Sequence, residues 1–154
     1  MRWIRRIVLA LLALVAGTLT LAWLLLRASL PTLDGEVPAP GLAAPATIER
    51  DALGTVILSA ANRADIAWAL GYVHAQERYF EMDVLRRRAT GELSALFGPA
   101  TLEADRGARV HRFRHRVASY FAAVPPEHQR QMQRYADGAN AGLAALSRPK
   151  PGDP

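Results

Sequence analysis

Near its start the chain has a long apolar run that no charged residue interrupts. The run extends from Ile7 to Leu26 and is dominated by leucine, alanine and valine. It is preceded by three basic residues, Arg2, Arg5 and Arg6. Twenty residues of helix rise about 30 Å, the thickness of a bilayer's hydrocarbon core, whereas a signal peptide has a shorter apolar region. We therefore predict a membrane helix over residues 1–26, uncleaved in preference to cleaved, with its arginines in the cytoplasm and everything after it exported.

Prolines and glycines mark the next segment, residues 27–45. Its four prolines are Pro31, Pro38, Pro40 and Pro45. Because proline fixes φ and lacks a backbone N–H, we predict an extended tether that leaves the membrane.

Two short stretches rich in β-branched residues follow, 46–51 and 55–60, with Gly54 between them. Glycine supplies the positive φ that a tight turn requires, so this pattern predicts a β-hairpin. Two strands alone are marginal in water. We therefore expect the hairpin to join a sheet or to pack on helices.

A helix is predicted directly after the hairpin. Asn62 or Asp65 caps its start, and apolar positions at helical spacing continue it to about Ala89. This stripe consists of Ile66, Leu70, Val73, Phe80 and Val84. Gly91 then allows a break before a short helical piece over residues 92–97.

Two further helices are predicted, over residues 102–123 and 127–146, separated by Pro125 and Pro126. Their apolar positions are Val110, Phe113, Val117 and Phe121 in the first, and Met132, Tyr135, Ala139, Leu143 and Leu146 in the second. The prediction is an α+β fold, mostly α-helical with one β-hairpin. Residues 46–147 form the folded part, and residues 148–154 have no structure of their own.

Composition excludes several classes of protein. The 154 residues include no cysteine, which excludes disulfide frameworks, cysteine-bound metals and thiol catalysis. A 51% hydrophobic and 21% charged composition excludes a disordered chain. Without the three anchor arginines the net charge falls from +5 to +2. We therefore expect no nucleic-acid partner.

Glu77 is the most unusual charge, because its helical spacing points it toward the core. An isolated buried carboxylate costs several kcal/mol, so Glu77 is expected to be paired. An ion pair with Arg50 or with one of the arginines at 86–88 is favoured over a general acid or base with a raised pKa. Asp83 precedes Arg87 by four residues, which predicts a second ion pair.

The predicted helix over 102–123 carries two further candidates. His111 and His115 are four residues apart, which lets two imidazoles reach one metal, but no third ligand is evident and a solvated pair is favoured. The helix is also basic along one side through Arg106, Arg109, Arg112, Arg114 and Arg116. Such a face can meet anionic head groups, although a solvated face is favoured.

The residues by themselves indicate scaffold and no catalytic group. None of the five serines lies in a nucleophile motif, and no glycine-rich phosphate loop occurs. We therefore assign no catalytic residue, no metal ligand and no cofactor to this chain.

Sequence blocks in a fixed order resemble the penicillin acylase (penicillin amidase) family of N-terminal-nucleophile hydrolases. The blocks are 37–42, 48–54, 60–65, 69–78, 80–83, 85–93, 96–98 and 135–140. Six residues match motif positions and are interpreted as architectural: Gly71, Glu77, Arg78, Asp83, Arg87 and Gly91. One departure is that residues 55–58 read Thr-Val-Ile-Leu, where the family commonly has Val-Pro-x-Ile.

The resemblance implies an exported, self-cleaving enzyme that hydrolyses amide bonds in β-lactams or N-acyl homoserine lactones. It implies an αββα sandwich built from two chains, often with a bound calcium ion. The nucleophile is a serine followed by asparagine at the start of the second chain, with its own α-amine as base. This sequence contains no Ser-Asn dipeptide and no Gly-Ser junction. The resemblance therefore implies a larger chain of the same precursor as partner.

Two hypotheses stay open. The first is the N-terminal fragment of an exported acylase precursor, inactive alone, anchored in the inner membrane with its domain in the periplasm or at the cell exterior. The alternative is a membrane-anchored helical interaction module with no catalytic activity. The reading frame downstream of codon 154 distinguishes them.

Overall fold

The computed structural model describes residues 2–146, which divide into two compact units at residue 35. The elements are α1 (Arg2–Ser29), β1 (Thr47–Arg50), β2 (Val56–Ser59), α2 (Arg63–Thr90), α3 (Ser94–Phe97), a 3₁₀ turn (Gly98–Thr101), α4 (Leu102–Val110), α5 (Phe113–Phe121) and α6 (Pro126–Leu146). The expectation of a mostly helical chain with one β-hairpin is confirmed. The predicted unstructured end, residues 148–154, lies outside the described residues.

The first unit is dominated by α1, which ends at Ser29 and so runs three residues past the predicted boundary. None of its residues is buried, and its mean hydropathy reaches 2.4 over a stretch of 18 residues. The guanidinium of Arg27 lies 5.3 Å from the ring centre of Trp23, one turn earlier. By length and composition, α1 is a candidate membrane span.

The two strands pair antiparallel, with Thr47 opposite Ser59 and Arg50 opposite Val56. Asp51 organises the turn, because its Oδ1 accepts hydrogen bonds from the backbone N–H groups of Leu53 at 2.9 Å and Thr55 at 2.8 Å. Gly54 completes the turn with a φ of 81°. The predicted hairpin is thereby confirmed.

Helices α2 and α6 cross closely and form the core of the second unit. Asn62 is the N-cap of α2, with its side chain accepting from the backbone N–H of Asp65 at 2.9 Å. Small residues lie at the crossing, since a Cβ on Gly138 would overlap the carbonyl oxygen of Trp68. The buried hydrophobic residues are Trp68, Ala69, Tyr72, Val73, Ala75 and Ala139. The two backbones therefore approach to a distance that only glycine permits.

The predicted apolar stripe of α2 is wrong in part. Val73 is buried, but Phe80 is 67% exposed and Leu70 is 37% exposed. Arg78 has a φ of −147° and a ψ of 28°, which interrupts the helix and changes its rotational phase beyond that point. On α6, Met132 is likewise 53% exposed. The surface of α2 that contacts α6 consists of small residues and stacked aromatic residues. A search for large apolar residues at helical spacing does not identify them.

The single helix predicted over residues 102–123 is also wrong. The segment divides into α4 and α5, and Arg112 between them has a left-handed φ of 52°. The His111 ring stacks on Phe113 across the break, with 5.3 Å between ring centres. The spacing of apolar residues predicts an apolar face on each stretch, but it does not show that the two stretches form one continuous helix.

Candidate functional site

Gly71 occupies the crossing of α2 and α6. A Cβ at this position would overlap the carbonyl oxygen of Tyr135 and approach the backbone nitrogen of Ala139 to 2.9 Å. Any side chain here would force the two helices apart. The requirement for glycine at this motif position is therefore steric.

Glu77 binds Arg50, one of the partners that the sequence allows. Glu77 Oε1 accepts from an Arg50 Nη at 3.0 Å, which ties α2 to β1. The Glu77 side chain is 31% exposed and that of Arg50 is 19% exposed, so the pair lies at the surface and the expectation that Glu77 points toward the core is wrong. The next residue, Arg78, takes the non-helical conformation of the kink. The pair therefore fixes the hairpin at the position where α2 changes direction.

Asp83 joins two arginines of the following turn. Its Oδ2 accepts from Nε of Arg87 at 2.6 Å, as the spacing predicts, and its Oδ1 accepts from Arg86, also at 2.6 Å. These hydrogen bonds, that of Arg87 first, lower the pKa of the Asp83 carboxyl. Asp83 is thus ionised, and it stabilises the last turns of α2 through both arginines.

Gly91 ends α2 in the left-handed region, with a φ of 70°. Its backbone N–H donates to the carbonyl of Arg87, and its own carbonyl accepts from Nε of Arg109 at 2.8 Å. A Cβ at this position would lie 2.6 Å from the carbonyl oxygen of Asp105. Both the conformation and the contact with α4 therefore require glycine.

Asp105 is buried beneath this turn, and the sequence does not mark it as a candidate. Its carboxylate accepts from the N–H groups of Leu93 and Ser94 at 2.8 Å each, and from the Ser94 hydroxyl at 2.5 Å. Burial by itself raises the pKa of Asp105, but the hydrogen bonds from Ser94 and Leu93 and the charge of Arg109 hold the pKa below its ordinary value of 3.8. Asp105 therefore caps α3 from a distant element, and the Ser94 hydroxyl is occupied as a donor.

Asp65 is the second buried carboxylate, 2% exposed. It accepts from the N–H groups of Ala43 at 3.1 Å and Ala44 at 3.3 Å, and from Nδ2 of Asn62 at 2.7 Å. Arg134 also donates to the carbonyl of Gly41. The end of the predicted tether is thus bound to the start of α2 and to α6. The sequence pattern indicates Asp65 only as a helix cap.

A cleft of about 330 Å³ opens between the hairpin and α2. Thr55, His74, Glu77 and Arg78 are among its lining residues. Nδ1 of His74 lies 3.0 Å from the hydroxyl of Tyr135. The two titratable groups Glu77 and His74 are thereby engaged by partners on β1 and α6, and both hold elements together.

The histidine and arginine patterns of the predicted helix over 102–123 do not persist. His111 closes α4 while His115 lies within α5, so the two imidazoles do not share a helix face. The arginines diverge as well: Arg109 binds Gly91, whereas Arg114 binds Glu92 at 2.7 Å. The basic side is therefore divided between two helices.

Residues 2–146 do not fit a calcium site. No group of three or more histidine, aspartate or glutamate side chains able to hold a metal occurs within this range. Calcium requires six to eight oxygen ligands. The two buried carboxylates, Asp65 and Asp105, instead accept hydrogen bonds from N–H and O–H donors.

The sequence predicts the position of a buried carboxylate where a local pattern marks it, and does not where the contact joins distant elements. Asp65 follows Asn62 at the spacing of a helix cap, so its location is visible but its bonds to Ala43 and Ala44 are not. Asp105 lies 12 residues from Leu93, and no local pattern connects them. Asp51, Asp65, Glu77, Asp83 and Asp105 form a framework of turns, caps and ion pairs.

Comparison with known proteins identifies relatives of this chain. A family model described as penicillin amidase matches residues 45–153. Penicillin acylase 2 proenzyme from Pseudomonas sp. (strain SE83) is 38% identical over 120 residues, which cover 78% of this chain and 16% of that protein. An acyl-homoserine lactone acylase from Pseudomonas aeruginosa is 39% identical over 115 residues, which cover 75% of this chain and 14% of that protein. The chain thus matches about a sixth of the length of these relatives.

The fold has a counterpart among solved structures. A thermostable penicillin G acylase from Alcaligenes faecalis matches with a TM-score of 0.62 and 28% identity, over 67% of this chain and 55% of that chain. The family match includes the hairpin, the glycine crossing and both buried carboxylates. The chain belongs to the penicillin amidase family.

Proposed function

We propose that this chain is the N-terminal part of an exported acylase precursor that hydrolyses non-peptide amide bonds. The observation that carries the proposal is the family match over residues 45–153, together with relatives named penicillin acylase and acyl-homoserine lactone acylase. The substrates of the complete protein are acylated amines, such as β-lactams with an amide side chain or N-acyl homoserine lactones. One relative is named a proenzyme, which supports a precursor.

In this proposal the chain supplies framework, and the remainder of the precursor supplies the catalytic serine and its oxyanion donors. The six motif residues are architectural: Gly71, Glu77, Arg78, Asp83, Arg87 and Gly91. The steric requirement at Gly71 and Gly91 supports this role. The ion pair of Glu77 with Arg50 supports it as well. The chain alone is therefore inactive.

The hairpin and the α2–α6 pair belong to one side of an αββα sandwich. The TM-score of 0.62 to a penicillin G acylase supports this placement. The outward face of the hairpin is open, with Ile57 49% exposed and the turn residue Leu53 91% exposed. A two-stranded sheet is marginal by itself and is expected to gain a neighbour in the complete protein.

Helix α1 anchors the protein in the inner membrane, and the folded part lies in the periplasm or at the cell exterior. The apolar length of α1 supports insertion. Trp3 and Trp23 near its two ends suit the membrane interfaces, and the arginines before residue 7 orient it with the N-terminus inside.

The test begins with the DNA downstream of codon 154. We expect an open frame that continues to a Gly-Ser-Asn or similar junction. The product of that longer frame is then assayed with penicillin G and with an N-acyl homoserine lactone. Replacing the junction serine by alanine is the matched control, and we expect an intact precursor without amidase activity. Amide hydrolysis by the 154-residue chain alone, or a longer product that cleaves neither substrate, would contradict the proposal.

A further inference from the structure

Helix α5 presents an uncovered aromatic face. Every residue from 111 to 123 is exposed. The apolar residues of α5 and their exposed fractions are Phe113 at 44%, Val117 at 61%, Tyr120 at 73% and Phe121 at 37%. At about 100° per residue, these four positions fall within a sector of about 100°. Helix α5 is therefore amphipathic, and the rest of the described chain does not cover its apolar face.

The charge beside this face is mostly positive. Residues 106–126 contain no aspartate or glutamate, but three of their five arginines are already bound: Arg106 to Glu103, Arg109 to the Gly91 carbonyl and Arg114 to Glu92. Arg112 and Arg116 form no ion pair within the described residues 2–146. Arg114 and Arg116 project at the two edges of the apolar sector. Aromatic and aliphatic residues flanked by cations are the pattern of a helix that lies in the interface of an anionic membrane.

The chain itself limits the distance to a membrane. Gly41, Ala43 and Ala44 are fixed to the folded unit through Arg134 and Asp65. Eleven residues, 30–40, separate α1 from Gly41. Their fully extended length is about 40 Å. If α1 inserts, the folded unit therefore meets the adjacent lipid surface at a high effective concentration.

We propose that α5 binds the anionic lipid surface of the membrane that α1 spans. Its aromatic face enters the head-group region, and Arg116, with Arg112 just before the helix, meets lipid phosphates. This inference rests on the membrane insertion included in the proposed function. Charge complementarity favours lipid as the occupant, because Arg112 and Arg116 beside the apolar face are not neutralised by a carboxylate within residues 2–146 and match an anionic surface.

The test places one nitroxide at a time in the full chain, which has no native cysteine. Val117→Cys reports the apolar face, and Ser119→Cys on the opposite side of α5 is its matched control. Gly17→Cys reports insertion of α1. Each labelled chain is reconstituted in phosphatidylcholine vesicles with and without phosphatidylglycerol, and accessibility to oxygen and to a water-soluble nickel chelate is measured.

In the anionic vesicles we expect the label at 117 to lie about 5–10 Å below the head groups, with high oxygen and several-fold reduced nickel accessibility. The label at 119 stays accessible to nickel. Omitting phosphatidylglycerol, or adding Arg116→Glu, returns the label at 117 toward water, because the electrostatic attraction is lost.

Three results overturn the inference. A label at 117 that stays in water while that at 17 is in lipid identifies a solvated face. A label at 117 shielded from both reagents, whatever the lipid, identifies a protein contact. A label at 17 that stays in water shows that α1 does not insert, and this refutes the membrane part of the proposed function as well.

Discussion

Two helix pairs of the folded unit differ in which residues they bury and which they expose. Helices α2 and α6 bury small residues against one another, with Gly71 and Gly138 at their crossing. Helices α4 and α5 are separated by a left-handed arginine and leave large apolar residues such as Val110 and Tyr120 exposed. Large apolar residues at helical spacing therefore do not identify the core of this chain. The close approach of the α2 and α6 backbones identifies it.

The largest expected effect comes from filling the crossing. Gly138→Val places a side chain where the carbonyl oxygen of Trp68 lies, so the helices must separate. We expect a loss of about 3 kcal/mol in the free energy of unfolding, since overpacking costs about 1–3 kcal/mol or more. Urea unfolding of the full chain in detergent, followed by Trp68 fluorescence with Trp3 and Trp23 replaced by phenylalanine, measures it.

The matched control lies in α4. A Cβ on Gly107 would have no neighbouring atom within 4 Å, so Gly107→Ala meets no contact. The substitution is expected to stabilise the chain by about 0.5–1 kcal/mol through helix propensity. Equal losses at both glycines would show that the crossing is not tightly packed.

Removal of the Asp65 carboxylate is the next test. Asp65→Ala leaves the N–H groups of Ala43 and Ala44 and the amide of Asn62 without their acceptor. We expect a loss of about 2–3 kcal/mol, because buried donors are left unsatisfied. Hydrogen exchange should show faster exchange at Ala43 and Ala44, while the hairpin amides stay protected. Unchanged exchange at residues 43 and 44 would refute the attachment of the tether.

The contrast between these regions also explains which features the sequence reveals. The hairpin turn at Asp51 and Gly54 and the α2 terminus at Gly91 have local signals, namely an Asx turn and a left-handed glycine. The break at Arg112 has none, because arginine does not favour a positive φ. The partner of Asp105 is equally hidden, since that cap joins elements through tertiary contact.

Among the six motif positions, predictability follows the same division. The Asp83–Arg87 pair lies within one helix and follows from spacing alone. Glu77 has several arginines within sequence reach, and only the placement of the hairpin selects Arg50. The fit of Gly71 against the Tyr135 carbonyl depends on the crossing geometry.

The next effect in size is expected from acidification, which should weaken the cap at Asp105. Its pKa is held below 3.8 in the folded chain, so its stabilising contribution is present above that value and is lost as pH falls through the folded pKa. The pKa values of Asp51 and Asp83 shift in the same direction. We expect the urea midpoint to fall steeply below about pH 4. In Asp105→Asn the midpoint is lower at about pH 6, and its difference from the parent chain shrinks toward about pH 2.5. A constant difference across this range would contradict the ionised cap.

The smallest expected effect separates partly shielded from exposed ion pairs. In a double-mutant cycle, Arg50→Met and Glu77→Gln should show a coupling energy of about 0.5–1 kcal/mol, because both side chains are partly shielded and connect two elements. The control pair is Arg106 with Glu103, whose side chains are 67% and 83% exposed, and its coupling should be near zero. A weaker coupling at Arg50–Glu77 than at Arg106–Glu103 would mean that the hairpin is held by its apolar contacts. The motif glutamate would then need a role outside this folded unit, such as a contact with the larger chain that the proposed function includes.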